Sequence, residues 1–129
     1  MKVRISLDVE EECRAIIARY INAYCKIPES YELPFICVSQ VGGSEDDTIC
    51  THSIVIEGYA SGDEEANAVT RKAIGILKAV AEHQRTPIRY VVSNTDVSRY
   101  MDPIRPDLSR YRATVLVTTH QIFDDVEEL

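Results

Sequence analysis

Asp102-Pro103-Ile104-Arg105-Pro106-Asp107 runs straight into Ser109-Arg110-Tyr111-Arg112-Ala113-Thr114-Val115-Leu116-Val117-Thr118-Thr119-His120: a proline-punctuated loop, then a strand. Tyr111, Ala113, Val115 and Val117 alternate with Arg112, Thr114, Leu116 and Thr118, and period two is what a strand with two unlike faces requires. The spacing predicts a strand over Arg110 to Gln121. A second strand, Ile49 to Tyr59, sets Ile54, Ile56 and Gly58 against Ser53, Val55, Glu57 and Tyr59. Between the two lie a long helical pattern and the short apolar run Ile88 to Ser93, which reads as another strand. Upstream, Phe35 to Val41 is rich in aromatic and β-branched residues, and Gly42-Gly43 stops it.

The helices announce themselves by caps and by steps of three and four. Asp8 stands at an N-cap position with Glu11 three residues on, and Glu10, Glu11 and Glu12 favour the positive end of a helix dipole. Val9, Cys13, Ile16, Ile17, Tyr20, Ile21 and Tyr24 form one apolar stripe, so the first helix is expected over Val9 to Cys25. Ser61 and Glu64 write a capping box for a second helix, Asp63 to Gln84, with Ala66, Val69, Ala73, Ile76, Leu77 and Val80 inward. Small residues Ala66, Ala73 and Gly75 point to close approach by a sheet or a neighbouring copy.

The expected fold is therefore α+β, in the order α-β-β-α-β-β. It is a two-layer sandwich whose four-stranded, mostly antiparallel or mixed sheet is covered on one face by two helices. Residues 1–129 read as a single domain, with 1–7 as an N-terminal arm and 123–129 as an acidic C-terminal tail. Phe35 to Tyr59 should form a hairpin with a long exposed loop around Gly43 to Thr48, and Asn94 to Leu108 a polar loop.

With 129 residues, a chain of this kind buries about two-thirds of its unfolded surface and folds without staples. No apolar run approaches the ~20 residues of a membrane helix, and no basic region followed by an apolar segment opens the chain. A soluble protein made in the cytoplasm is expected, with no membrane partner. The net charge of −7 argues against a sequence-reading nucleic-acid module, which needs a basic stripe. Four cysteines, Cys13, Cys25, Cys37 and Cys50, lack any C-x-x-C pair and read as reduced, mostly buried thiols.

Chemistry is sparse. His52 and His120 lie on strands and are the candidates for a metal or acid–base pair, while Glu45, Asp46 and Asp47 with Asp96 and Asp102 are the candidate carboxylates for a divalent cation. A solvated turn is the simpler reading of those acids, and no phosphate-cradling or nucleophile-elbow motif occurs. The chain does not read as an enzyme, and no cofactor or metal is expected. Arg99, Tyr100, Met101 and Arg105 in the second loop are residue types favoured at interfaces. Together with Gly43, Ser44, Glu45, Asp46 and Asp47 in the first loop they are the candidate contacts to a partner; a mobile loop with a structural Pro turn is the competing reading.

In order and spacing, several pieces resemble the tail terminator (tail completion) proteins of long-tailed phages: the first helix, Pro34-Phe35-Ile36-Cys37-Val38 leading to Val41-Gly42-Gly43, Ser53-Ile54-Val55-Ile56-Glu57-Gly58-Tyr59-Ala60, Asp63-Glu64-Glu65-Ala66, and Met101-Asp102-Pro103 ahead of Arg110-Tyr111-Arg112-Ala113-Thr114-Val115. They span Val9 to His120. The resemblance implies a virion protein at the head-proximal end of the tail, forming a homohexameric ring. Such a ring caps the tail tube at its final length, joins it to the head or head–tail connector, and lets the genome pass without reading it. The alternatives are a connector or completion ring, a non-viral α+β interaction module, and a small metal-dependent enzyme using the loop carboxylates or His52 and His120.

Overall fold

The computed structural model describes residues 1–46, 49–83, 86–101 and 103–127. Along the chain the elements are β1 (Lys2–Ile5), α1 (Val9–Ala18), β2 (Ala23–Tyr24), β3 (Phe35–Glu45), β4 (Ile49–Ala60), α2 (Asp63–Glu82), β5 (Ile88–Ser93), β6 (Ser98–Arg99), β7 (Ser109–His120) and β8 (Ile122–Asp125). The class is α+β with two helices, as the sequence predicts, but the strands are more numerous. Instead of one four-stranded sheet there is a six-stranded sheet, ordered β2-β3-β4-β7-β5 with β6 also on β7, and a separate two-stranded ribbon of β1 and β8. The α-β-β-α-β-β order therefore misses β1, β2, β6 and β8. All are two to four residues long; β2, β6 and β8 leave no periodic trace, whereas Met1 to Leu7 alternates like a strand but is short enough to read as an extended arm.

β4 and β7 form the spine, paired without a break from Ile49↔His120 to Ala60↔Ser109. All pairings are antiparallel except β2 with β3, which makes the sheet mixed. Both helices lie over one face. Ile36, Val38, Ile54, Ile56, Ala113, Val115 and Val117 meet Val9, Cys13, Ile16 and Ile17 of α1 and Val69, Ala73, Ile74, Leu77 and Ala81 of α2 in one core. Burying each branched side chain contributes about 1.5–3 kcal/mol before ordering costs. At Gly58 helix and sheet come closest: an added Cβ would lie 2.1 Å from Thr70 Oγ1 and 2.9 Å from the Ala66 carbonyl oxygen. The expectation of close approach holds at Ala66 and Ala73, but Gly75 faces open space.

The helix ends differ from expectation in instructive ways. Asp8 does cap α1, its carboxylate accepting the Glu11 N–H at 3.3 Å, but Glu11 turns to Arg14 instead of reaching back. α1 stops at Ala18 and not at Cys25, because the Asn22 carbonyl accepts the Ile36 N–H at 2.8 Å and Ala23-Tyr24 is drawn into the sheet edge beside β3. α2 is capped by Gly62 with no side-chain bond, so the Ser61–Glu64 box is not formed. Its predicted end, Gln84, lies outside the described residues.

The second sheet face is covered only at one end, where expectation left it bare. There Phe35 stacks on Tyr59 with ring centroids 4.8 Å apart, and Tyr24 and Tyr31 lean on Phe35 at 5.8 and 4.8 Å. Ile27 and Leu108 complete this smaller cluster.

Residues 1–7 are not a free arm, nor is the acidic tail unpaired. Lys2–Ile5 pairs antiparallel with Ile122–Asp125, and the Met1 and Val126 backbones bond to each other at 2.8 and 3.0 Å. The tail's last expected residues, Glu128 and Leu129, lie outside the described residues. No helix among the described residues is long and apolar enough to cross a membrane.

Candidate functional site

The first candidate loop is mostly strand. Gly43, Ser44 and Glu45 pair with His52, Thr51 and Cys50, so the hairpin has a short tip in place of the long loop expected. A register shift between Gln40 and Gly42 lets β3 continue past the glycines, and Gly43 sits at φ 154° with Thr51 O only 2.4 Å from where a Cβ would be. The glycine pair bends the strand without ending it. Asp46 closes the tip, its carboxylate accepting the Ile49 N–H at 2.7 Å and its own N–H donating to Ile49 O at 3.0 Å. Asp47 and Thr48 lie outside the described residues.

The second candidate loop is pinned at its start. Arg99 is in β6, paired with Tyr111, and its guanidinium holds Asp63 at 2.8 Å; a hydrogen bond from the Ser109 side chain, and then this one from Arg99, keep that carboxyl below the usual range. Tyr100 lies between two guanidinium groups, Arg110 at 4.5 Å and Arg112 at 4.8 Å from its ring centre. Arg110 in turn pairs with Glu57 and lies 5.2 Å over Tyr59. The Arg110 and Glu57 side chains are only 18% and 10% exposed, so this pair is largely withdrawn from water and less screened by salt than a rim contact. Arg105 is half-buried, and its charge is felt at Cys37. Of the four residues expected to face a partner, Arg99 and Tyr100 are thus committed within the chain. Met101, 76% exposed, stands out into solvent, with Ile104 beyond it. Asp102 lies outside the described residues.

These two groups do not form one surface. The hairpin tip adjoins the Ile49↔His120 pair and the arginine stack the Tyr59↔Arg110 pair, ten residues apart along β4 and so about 34 Å.

Nor do the histidines meet. His52 faces the helices and His120 the other side of the sheet, since their partners Val117 and Ile49 point opposite ways. His52 is buried between Gln40 Nε2 at 3.1 Å from Nδ1 and Thr119 Oγ1 at 3.3 Å from Nε2. Burial pulls its pKa down, partly opposed by the nearby charge of Glu45. Among the described residues no group of three His, Cys, Asp or Glu side chains is placed to hold a metal ion. The four cysteines are free thiols, and burial pushes Cys13 and Cys37 up to about 12 and Cys25 to about 11, the wrong direction for a nucleophile.

Three features escaped the sequence. A groove of about 450 Å³ opens between the end of α1 and α2, walled by Tyr20, Ile21, Pro34 and Ala68, with Glu65 and Lys72 on its rim. Tyr20 was read as part of a buried stripe, yet it is 65% exposed because α1 ends before it. The uncovered half of the second sheet face carries Tyr90 and Val92, both exposed and opposite Thr118 and Leu116. The terminal ribbon holds Phe123, 69% exposed. A lone aromatic in an acidic tail was the one available signal. No protein-family model matches the chain, and no curated protein matches it.

Proposed function

We propose that this chain is a structural ring protein of a long-tailed phage particle, a tail terminator that closes the tail tube at its final length and presents its other side to the head or connector. One observation carries the reading. The separate sequence pieces that resemble tail terminators are consecutive parts of one structural unit: Phe35–Val38 in β3, Ser53–Ala60 in β4 and Arg110–Val115 in β7 pair side by side, and Asp63–Ala66 is the first turn of the helix laid across them.

The distribution of apolar surface agrees with a protein that works by contact. Tyr20, Tyr90, Val92, Met101, Ile104 and Phe123 are all exposed, and they come from separate parts of the fold, as suits a subunit with several neighbours. The acidic surplus suits a passage for nucleic acid, since repulsion keeps a polyanion from sticking. Negative-stain electron microscopy with native mass spectrometry over a hundredfold concentration range tests the reading. Six-fold rings are the expected outcome; a stable dimer at every concentration would overturn it in favour of an interaction module.

A further inference from the structure

Of the buried polar side chains, His52 and Thr119 lie together where β4 meets β7. Gln40 reaches them from β3, beside the register shift that lets that strand continue past its glycines. The shift leaves Val41, 62% exposed, as the extra residue between the paired residues Gln40 and Gly42. Gln40 braces this bulge from both sides. Its backbone N–H donates to the Glu10 carboxylate of α1 at 2.8 Å, and its side-chain nitrogen lies 3.4 Å from the Gly42 carbonyl oxygen and 3.1 Å from His52 Nδ1.

These contacts fix the proton on the ring. The amide atom facing the Gly42 carbonyl has to be the nitrogen, because two carbonyl oxygens would repel each other there. The same nitrogen faces Nδ1, which is therefore bare and accepts, and the ring's proton sits on Nε2 and is donated to Thr119 Oγ1 at 3.3 Å. A second proton has only Nδ1 to go to. There it meets the amide hydrogens of Gln40, and the amide accepts it only by turning over, which sets its oxygen against the Gly42 carbonyl and breaks the brace. Gln40 is exposed, so its amide has room to turn.

We propose that His52 is a proton-operated latch on the β3 bulge. Neutral, it holds the Gln40 amide and, through it, the Gly42 carbonyl; protonated, it releases both, and the outer hairpin, residues 43–45 with 49–51, moves independently of the sheet beneath. The proton arrives from solvent through a cavity of about 220 Å³ lined by Ser6, Leu7, Gln40, Ser44, Glu45 and His52, of which Ser6, Ser44 and Glu45 are exposed. Around the ring stand Glu45 from β3, Thr119 from β7, Ser6 and Leu7 from the connector before α1, and, one bond away through Gln40, Glu10 of α1. Glu45 is the charge that reaches the ring and favours its protonation; burial opposes it more strongly, so the latch opens below the ordinary histidine range. The inference does not depend on the ring-particle reading. It concerns the hairpin tip that composition offered as a partner contact, and says when that tip is held.

Two readouts on the intact protein test it, followed from neutral pH down to the onset of unfolding. The imidazole nitrogen shifts of His52 in NMR give its tautomer and its titration midpoint. Hydrogen exchange, corrected for the intrinsic effect of pH, compares the paired amides of residues 43–45 with those of Ile54 and Val115 in the β4–β7 pair. The expected result is a neutral ring protonated on Nε2 and, at the ring's own midpoint, tip amides that speed up about tenfold relative to Ile54 and Val115, the size of losing one hydrogen bond. Gln40→Glu sets an acceptor and a negative charge against Nδ1, so its ring should be charged and its tip fast already at neutral pH, while Glu45→Gln should lower the ring and tip midpoints together. A neutral ring protonated on Nδ1, a ring that stays neutral until the protein unfolds, or tip amides indifferent to the ring's titration would each overturn the latch. So would tip and β4–β7 amides that speed up together, the mark of a general loss of stability, or a slow tip in Gln40→Glu with a charged ring.

Discussion

Two antiparallel strand pairs in this molecule obey the same hydrogen-bond rules and have opposite fates. β4 and β7 lie beneath α1 and α2, with Ile54, Ile56, Val115 and Val117 fully covered. β1 and β8 are just as regularly paired, but Phe123 and Ile5 remain in water. Because a backbone bond only exchanges water for another peptide, the ladder by itself contributes little net stability. Apolar cover decides which pair is anchored. A two-stranded ribbon without such cover is marginal.

The comparison breaks first, and most severely, at the spine. Glu57→Ala strips the largely buried Arg110 of its carboxylate, and a cation left so costs about 3–4 kcal/mol. The urea midpoint should fall accordingly with an unchanged slope. A drop under 1 kcal/mol would mean that the guanidinium's other contacts, stacking on Tyr59 and Tyr100 among them, satisfy it.

Gly58→Ala comes next. Its methyl would meet Thr70 Oγ1 and the Ala66 carbonyl oxygen, and Thr70 already donates to that carbonyl at 2.8 Å, so neither group yields freely. Overpacking of this kind costs about 1–3 kcal/mol. Thr70→Ala in the Gly58→Ala background should recover part of the loss in thermal melts. Recovery of none would place the obstruction on the Ala66 carbonyl and the Val69 side chain, which an added Cβ would meet at 2.9 Å each.

What could be read from sequence divides along the same line. α2, β4, β5 and β7 are legible within a residue or two because each is long, periodic and bounded by local punctuation. The start of α1 is equally clear, since Asp8 acts on its own first turn. Its end is not, because Ile36, on another strand, decides where Asn22 leaves the helix. The ribbon is invisible locally: Met1 and Val126 are joined across 125 residues. Composition marked Arg99 and Tyr100 as interface residues, and they do make charged and stacking contacts. Their partners are Asp63, Arg110 and Arg112 of the same chain, a choice set by strand register and not by residue type.

A smaller effect comes from pH. His52 sits on the spine where β4 meets β3, and burial depresses its pKa below that of the unfolded chain. Between the folded value and about 6.5 the unfolded chain takes up the proton first, so stability is full above that window and falls as pH drops through it. Glu45 opposes the shift, while Gln40 and Thr119 hold the two ring nitrogens. His52→Gln should flatten this part of the stability profile, leaving the carboxylate-driven loss at lower pH. A profile unchanged by the substitution would assign the slope to other groups.

The smallest effect is the one that separates the two strand pairs. Phe123→Ser removes an aromatic side chain, which in a core costs about 3–5 kcal/mol when truncated to Ala. On the ribbon of a dilute, monomeric protein it should cost under 0.5 kcal/mol, because the ring leaves water to enter water. Hydrogen exchange should show the Lys2–Ile5 and Ile122–Asp125 amides opening far more easily than those of β4 and β7 at low concentration. Ribbon amides as slow as the spine's would mean that β1 and β8 are anchored by the chain's own body despite the exposure of Phe123.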